Sequence, residues 1–278
     1  MPLFTPFSYI TSGVSFDSDA QAFIDATGIT DDTQQDAINT LVVTMKDDGV
    51  WTKMYAAYPF VGGTETTHKY NLVDPTDADA SYRLNFNGGW THNSNGVTGN
   101  GTNTYANTYF IPNDVKDVDT DLTTNYSMGF YNRSDITANH GGELGAANGG
   151  GSGDASYTML MGRSNGQSLT DMPSPSQRAF FSGGGNIGFF SYTRQSTTAG
   201  RLFLDGTLRN TAGATATNKY PSVDLVLGSQ QRPGPSFPDG YSSRNYAFLF
   251  IGKGLTNTEM SDYYDAVQAF QTTLGRET

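Results

Sequence analysis

Residues 245–275, NYAFLFIGKGLTNTEMSDYYDAVQAFQTTLG, contain the clearest structural signal in the sequence. The run from Tyr246 to Gly252 is apolar and rich in aromatic residues, which predicts a buried β-strand. Thr256 and Glu259 have the spacing of a capping box, in which each side chain accepts a hydrogen bond from the other residue's backbone N–H. A helix is then expected to run to Gly275, with an apolar face formed by Met260, Tyr263, Tyr264, Val267, Phe270 and Leu274.

Between Trp51 and this closing unit, short apolar stretches alternate with turn clusters. Glycine is abundant, at 33 residues, and together with Asn, Ser and Thr it favours many short strands. Asp205-Gly206 between two apolar runs is typical of a type I′ β-hairpin. We expect loops at Asn93–Thr102, Gly141–Gly153 and Gln230–Arg244, and strands at Lys53–Phe60, Tyr82–Phe86, Tyr105–Ile111, Tyr126–Tyr131, Tyr157–Gly162, Arg178–Ser182, Ile187–Tyr192, Leu202–Leu204, Ser222–Gly228 and Tyr246–Gly252.

The N-terminal part of the chain has helical rather than strand-like patterns. Ser18–Thr27 predicts a short helix. A longer one is expected to begin at an N-cap at Thr30 and to end before Gly49, which suits the position after a helix. The two aspartates after Thr30 would lie in the first turn, where the helix dipole favours negative charge. The apolar stripe of this second helix consists of Ile38, Leu41, Val42 and Met45.

Composition and charge narrow the range of partners. The chain of 278 residues has a net charge of −11, which disfavours binding to nucleic acid and to anionic membranes. It has no cysteine, so disulfides and thiolate metal sites are excluded. The N-terminal MPLFTPFSYI lacks the basic and apolar regions of a signal peptide, and no apolar run has the length of a membrane span. We therefore expect synthesis in the cytoplasm and no membrane span.

Several segments resemble concanavalin-A-like and laminin-G-like domains. These are FLFIGKGLTNTEMSDYY (248–264), RLFLDGTLRN (201–210), VDLVLGS (223–229) and GVTGNGTNTYANTYFIP (96–112), in the family's order. The resemblance covers about residues 80–275 and implies an all-β sandwich of the jelly-roll type with N-terminal helices and a C-terminal helix. We expect residues 1–60 to form a helical segment packed on or anchoring the sandwich, and residues 61–278 to form the sandwich with its C-terminal helix.

A second resemblance extends over nearly the whole chain. WTKMYAAYPFVGG (51–63), HKYNLVDP (68–75), YRLNFNGGWTH (82–92), NGTNTYANT (100–108) and AVQAFQTTLGR (266–276) look like bacteriophage and prophage proteins of this fold that are encoded among virion structural genes. The resemblance implies a capsid decoration, head fibre or tail-associated component located in the virion. Its implied partners are other virion proteins, such as the major capsid or tail proteins. We expect the N-terminal helices and the Met1–Ile10 segment to make this contact. It leaves self-association open, and it implies no ligand and no catalytic residue.

The residues themselves argue against catalysis. Retaining glucanases of this fold class place two glutamates four residues apart on one strand, with carboxyl groups about 5–5.5 Å apart. The four glutamates, Glu65, Glu143, Glu259 and Glu277, lack this spacing, and no G-x-S-x-G motif occurs. Aspartates 117, 119 and 121 are expected in a solvated loop. We therefore predict a non-enzymatic binding protein; the alternative is a carbohydrate-active enzyme, a glycosidase or lyase, or a free lectin of the same fold.

No metal or other cofactor is predicted. The histidines, His68, His92 and His140, lack metal-ligand spacing and are expected on the surface or in loops. Calcium is the ion that this fold class would favour, and Asp154, Asp205 and Asp239 fall in suitable loops. Their spacing does not support a calcium site, because no EF-hand-like pattern is present.

Glycans are the ligands that the exposed aromatic and amide residues suggest, on the host or in the environment. The first candidate site is Trp90 with His92 and Asn93, and the second is Tyr241 with Arg244. The alternative interpretation is core packing for Trp90 and loop anchoring for Tyr241. Met159 and Met161 alternate on one expected strand and are assigned to the core.

Overall fold

A computed structural model describes residues 15–80, 82–114, 125–136, 140–148, 157–164, 167–171, 178–182, 187–196, 199–213, 220–231, 234 and 238–278. The Met1–Ile10 segment, aspartates 117, 119, 121 and 154, and the side chains of Met159 and Met161 lie outside this description.

Two antiparallel sheets form the body of the molecule. The first has the order β13 (Thr207–Gly213), β12 (Ala199–Leu204), β11 (Gly188–Arg194), β6 (Tyr126–Asn132), β16 (Asn245–Gly252), β4 (Gly96–Thr98) and β3 (Thr91–Asn93), with β1 (Met54–Tyr58) also paired to β16. The second has the order β10 (Arg178–Ser182), β9 (Gln167–Asp171), β8 (Tyr157–Ser164), β7 (His140–Asn148), β14 (Val226–Leu227), β5 (Tyr105–Asn107) and β2 (Asn85–Asn87). A short β15 (Gln230–Gln231) runs parallel to β7.

The residue just before each of the following helices accepts a backbone N–H with its side chain. The helices are α1 (Ser18–Thr27), α2 (Asp32–Asp47), α3 (Glu65–His68) and α4 (Asn257–Thr273). The capping box of Thr256 and Glu259 at α4 is confirmed. The N-cap of α2 is Asp31 and not Thr30, because the Asp31 carboxylate accepts the backbone N–H of Gln34 at 2.8 Å. A carboxylate at this position also interacts favourably with the helix dipole.

The first sheet is buried on both faces, so the molecule has three layers. Along β16, Leu249 and Ile251 face a core shared with the second sheet, whereas Phe248 and Phe250 face a core shared with the helices. This alternation follows from the period-two direction of strand side chains. A β-sandwich with a C-terminal helix is therefore confirmed.

Two local expectations have different outcomes. The hairpin at Asp205-Gly206 is confirmed, because both residues have positive φ, 51° and 65°, as a type I′ turn requires. The prediction of a loop at Gly141–Gly153 is wrong for residues 141–148, because these residues lie in β7. Glycine is disfavoured in strands, yet β7 is paired on one side with β8 and on the other with β14 and β15.

The other two expected loops also contain pairing. Strand β4 lies within Asn93–Thr102, where it pairs with β3 and β16, and β15 begins the Gln230–Arg244 stretch. Both strands are too short to produce a visible alternation of apolar and polar residues.

Candidate functional site

A polar cleft of about 300 Å³ lies beside β2, the last strand of the second sheet. The backbone N–H of Leu84 donates to the carbonyl oxygen of Lys69 at 2.8 Å, which fixes the segment before β2 against the segment after α3. The cleft is lined by Glu65, Thr66, Lys69, Arg83, Leu84, Asn85 and Phe86. The lining thus combines amide, hydroxyl and charged residues with one aromatic residue.

Asp77 connects the two cations of the cleft. Its carboxylate accepts from Lys69 Nζ at 2.7 Å and from Arg83 Nη1 at 3.0 Å. Arg83 is also paired with Asp79. The hydrogen bond from Lys69 is the main cause of the lowered pKa of the Asp77 carboxyl. Both cations are therefore neutralised by neighbouring carboxylates and held in fixed positions, where they can donate hydrogen bonds to a neutral ligand.

Phe86 connects the cleft to two residues of the first candidate site. Its ring contacts the His92 ring edge-to-face, with centroids 4.6 Å apart, and the Trp90 ring at 5.7 Å. Next to it, the Asn85 amide donates to the Tyr109 hydroxyl at 3.0 Å. Phe86 is half-buried and packs against the core between the two sheets, so only the exposed part of this residue contributes to the cleft wall.

Behind this wall, His68 and His92 form a contact that the sequence did not suggest. Their Nδ1 atoms lie 3.0 Å apart, and each Nε2 is buried with no hydrogen-bond partner among the described residues. His68 is 1% exposed, so its expected surface position is wrong. Burial lowers the pKa of His68 to about 3, helped by His92 and Arg276, and burial also lowers the pKa of His92. One ring donates its Nδ1–H to the Nδ1 atom of the other ring, so the accepting imidazole must be neutral.

Stability should fall on acidification because of His68. The unfolded side chain takes up a proton near pH 6.5, but the folded one does so only near pH 3. Between these values folding loses about 1.4 kcal/mol per pH unit. We expect His68 to account for about 2 kcal/mol of the loss between pH 7 and pH 5, measured by urea unfolding. His68→Gln should lack this part of the loss; an unchanged pH dependence in that variant would contradict the assignment.

The remaining residues of the first candidate site have separate environments. Trp90 is half-buried, donates from Nε1 to the Tyr105 carbonyl oxygen at 3.3 Å, and packs against Gly228 and Tyr246. Asn93 is exposed at the end of β3, where its Oδ1 accepts the backbone N–H of Asn95 at 2.8 Å.

The second candidate pair is divided between a loop and the interior. Tyr241 is half-buried, and its hydroxyl donates to the Pro238 carbonyl oxygen at 2.5 Å, which anchors the loop before β16. Arg244 is 2% exposed, and its Nε donates to Glu143 Oε1 at 2.6 Å. The hydroxyl of Tyr246 donates to the second oxygen of Glu143. Arg244 therefore faces the interior of the sandwich.

In the structure His92 and Trp90 both contact Phe86, whereas Arg244 lies in the interior of the sandwich. Sequence reasoning missed Glu65, Lys69, Arg83, Asn85 and Phe86 as cleft residues. Lys69, Arg83 and Asn85 lie in the motifs HKYNLVDP and YRLNFNGGWTH that carry the second resemblance, and this clustering was the available signal.

Among the residues that the structure describes, no three His, Asp or Glu side chains are grouped closely enough to hold a metal ion. Of the loop aspartates considered for calcium, Asp205 accepts the backbone N–H of Phe189 at 2.8 Å, and Asp239 forms a β-bridge with Gln230. In the described part of the chain, no helix combines the length and apolar character needed to span a bilayer.

The described residues define a helix-flanked antiparallel β-sandwich with a polar cleft beside its second sheet. No protein-family model and no curated protein sequence matches this chain. Among solved structures, the chain is similar to domain 4 of a GH43 extracellular arabinanase from Geobacillus stearothermophilus in complex with arabinotriose. That match has 10% identity and a TM-score of 0.46, and covers 76% of this chain and 98% of the domain.

It is also similar to Trypanosoma rangeli sialidase in two structures. A mutant displaying trans-sialidase activity has 12% identity and a TM-score of 0.54. The complex with sialic acid has 11% identity and a TM-score of 0.52. These matches cover 84% and 82% of this chain but only 39% and 38% of the sialidase chains. The chain thus spans less than half of that enzyme, and the likeness is one of fold.

Proposed function

We propose that this chain is a non-enzymatic carbohydrate-binding protein with a concanavalin-A-like jelly roll, and that it is a component of a bacteriophage particle. The observation that carries the binding function is the polar cleft beside β2. There the half-buried Phe86 lines the cleft together with Asn85 and the neutralised cations Lys69 and Arg83. Ligand sites commonly combine an aromatic surface with a few fixed polar groups that orient the ligand.

The charge of the cleft favours a neutral sugar. Lys69 and Arg83 are already paired with Asp77 and Asp79, and Glu65 adds a further carboxylate at the cleft wall. A ligand rich in hydroxyl groups can donate to the carboxylates and accept from the cations without bringing in another charge. The similar fold of a sialidase solved with sialic acid supports carbohydrate as the ligand class.

The absence of catalysis is part of the proposal and rests on the positions of the glutamates. Glu143 is buried and paired with Arg244, and Glu259 caps α4 and pairs with Lys53. Of the described glutamates, Glu65 lines the cleft, and the neighbouring carboxylate of Asp77 is held by Lys69 and Arg83, which lowers its pKa. A two-carboxylate hydrolytic mechanism needs two carboxyl groups that are available to the substrate, one of them protonated in the inverting and retaining reactions alike. No release of reducing ends is expected from polysaccharides incubated with the protein.

The location in a virion rests on the sequence resemblance alone. The major capsid or tail proteins would be the partners, and no cofactor is needed for this role. Mass spectrometry of purified particles should detect the chain as a stoichiometric component, and its absence from particles would remove this part of the proposal.

A glycan array followed by calorimetry tests the binding function. We expect the protein to bind a neutral oligosaccharide, and Phe86→Leu to weaken that binding at least about tenfold, or about 1.4 kcal/mol, because leucine keeps the packing but loses the ring face. The matched control is Phe180→Leu, because Phe180 is an aromatic residue on β10 that is 46% exposed and lies outside the cleft. Binding that is equally strong in both variants would show that the cleft is not the site.

A further inference from the structure

A groove of about 330 Å³ runs along the outer surface of the helix layer, between α2 and α4. The two helices are antiparallel, because Gln34 near the start of α2 and Thr273 at the end of α4 line one pocket, whereas Asp48, just after α2, interacts with Asp262 near the start of α4. The lining consists of Ala37, Leu41, Ala266, Ala269 and Phe270 as apolar residues, Thr40, Thr44 and Thr273 as hydroxyl residues, and Asp48, Asp262 and Asp265 as carboxylates.

The helix layer carries nearly all of the net charge of the chain. Residues 15–50 and 257–273 contain eleven acidic side chains and one basic side chain, a net charge of −10, whereas the whole chain has −11. Among the described residues, no ion pair involves the groove carboxylates Asp48, Asp262 and Asp265. Burial raises the pKa of Asp48, and so do the neighbouring Asp262, Asp47 and Asp265. A positively charged occupant would relieve this repulsion.

We propose that the α2–α4 groove is a docking site for a basic amphipathic helical segment of another protein. Apolar side chains of the segment would lie against Ala269 and the methyl groups of Thr40 and Thr44, above the buried Leu41 and Phe270. Its Lys or Arg side chains would pair with Asp48, Asp262 and Asp265. This mode is the helix-in-groove recognition used by other amphipathic helices. The site is separate from the carbohydrate cleft and does not depend on it. A second copy of this chain is a poor occupant, because its helix layer carries the same negative charge.

The test uses the full chain and a synthetic amphipathic helix of leucine and lysine, as long as the 16-residue α2. Calorimetry should show saturable binding with one peptide per chain. Ala269 is exposed in the groove, so Ala269→Trp fills the groove without changing the charge and should weaken binding at least about tenfold. The matched control is Ala22→Trp, which changes an exposed alanine on α1 outside the groove.

Charge variants and a second peptide separate docking from general attraction. Asp262→Asn with Asp265→Asn should weaken binding and reduce its dependence on salt, whereas Asp25→Asn with Asp36→Asn, outside the groove, should not. A peptide with serine in place of leucine keeps the charge and should bind weakly. Equal binding by the Ala269→Trp and Ala22→Trp variants, or no saturable binding of the leucine–lysine peptide, would overturn the proposal. So would a dimer of the wild-type chain that Ala269→Trp dissociates, because the occupant would then be a second copy.

Discussion

Arg244→Met is expected to lower the free energy of unfolding by about 3–5 kcal/mol, because it leaves the Glu143 carboxylate as an uncompensated charge in the interior. The two side chains are each 2% exposed and joined by a 2.6 Å contact between Nε and Oε1. Tyr246 donates to the same carboxylate, and its hydroxyl oxygen lies 2.8 Å from Ser242 Oγ. Urea unfolding at neutral pH measures the loss.

A double variant distinguishes the cost of a lone charge from the value of the pair. Glu143→Leu with Arg244→Met removes both charges and should recover most of the stability lost by Arg244→Met alone, since a buried ion pair adds little over an apolar pair. Lys46→Met is the control at a more exposed pair with Asp17 and Asp19, and it should cost about 1 kcal/mol or less. A loss at Arg244 no larger than that at Lys46 would contradict the argument.

Arg276→Ala is the second change with a large expected effect, about 3 kcal/mol or more. The buried guanidinium donates to Gln271 Oε1 at 2.6 Å and to the carbonyl oxygens of Phe60 at 2.8 Å, Pro59 at 2.5 Å and Ala247 at 3.2 Å. Hydrogen bonds to a charged donor contribute about 1.5–3 kcal/mol each, and alanine would remove this donor from every one of these buried acceptors. Thermal and urea unfolding both report the change.

Arg276 also holds a strained segment in place. Phe60 has a φ of 44°, a left-handed conformation that a bulky residue rarely adopts, and its carbonyl oxygen is one of the Arg276 acceptors. Arg276→Lys should recover only part of the loss, because one ammonium group cannot reproduce the planar fork. Arg209→Ala, at an exposed arginine on β13, should change stability by no more than about 0.5 kcal/mol. Equal effects at Arg276 and Arg209 would refute the role given to Arg276.

The features that the sequence predicted well depend on neighbouring residues. The capping box at Thr256, the Asp205-Gly206 turn and the Ser18–Thr27 helix each follow from spacings of a few residues, and all three are present. Strand β7 was missed because its glycines, such as Gly145, give no β-propensity, and its pairing comes from distant strands.

The candidate site was harder to predict because its contacts join distant segments. Glu143 and Arg244 are 101 residues apart, and His68 and His92 are 24 apart, so no local pattern reveals either pair. The exposed aromatic residue was sought at Trp90, but the ring that lines the cleft is Phe86, four residues earlier. Burial of an arginine such as Arg244 depends on a partner that only the tertiary structure supplies.

Strand β16 determines how late in folding the first sheet can form. Its residues pair with β6 on one side and with β4 and β1 on the other, so a C-terminal segment lies between strands made much earlier. During synthesis β1 cannot pair with β16 until the ribosome has added nearly two hundred further residues. The first sheet therefore closes late in folding, and until then its apolar edges are open to chaperones and to aggregation.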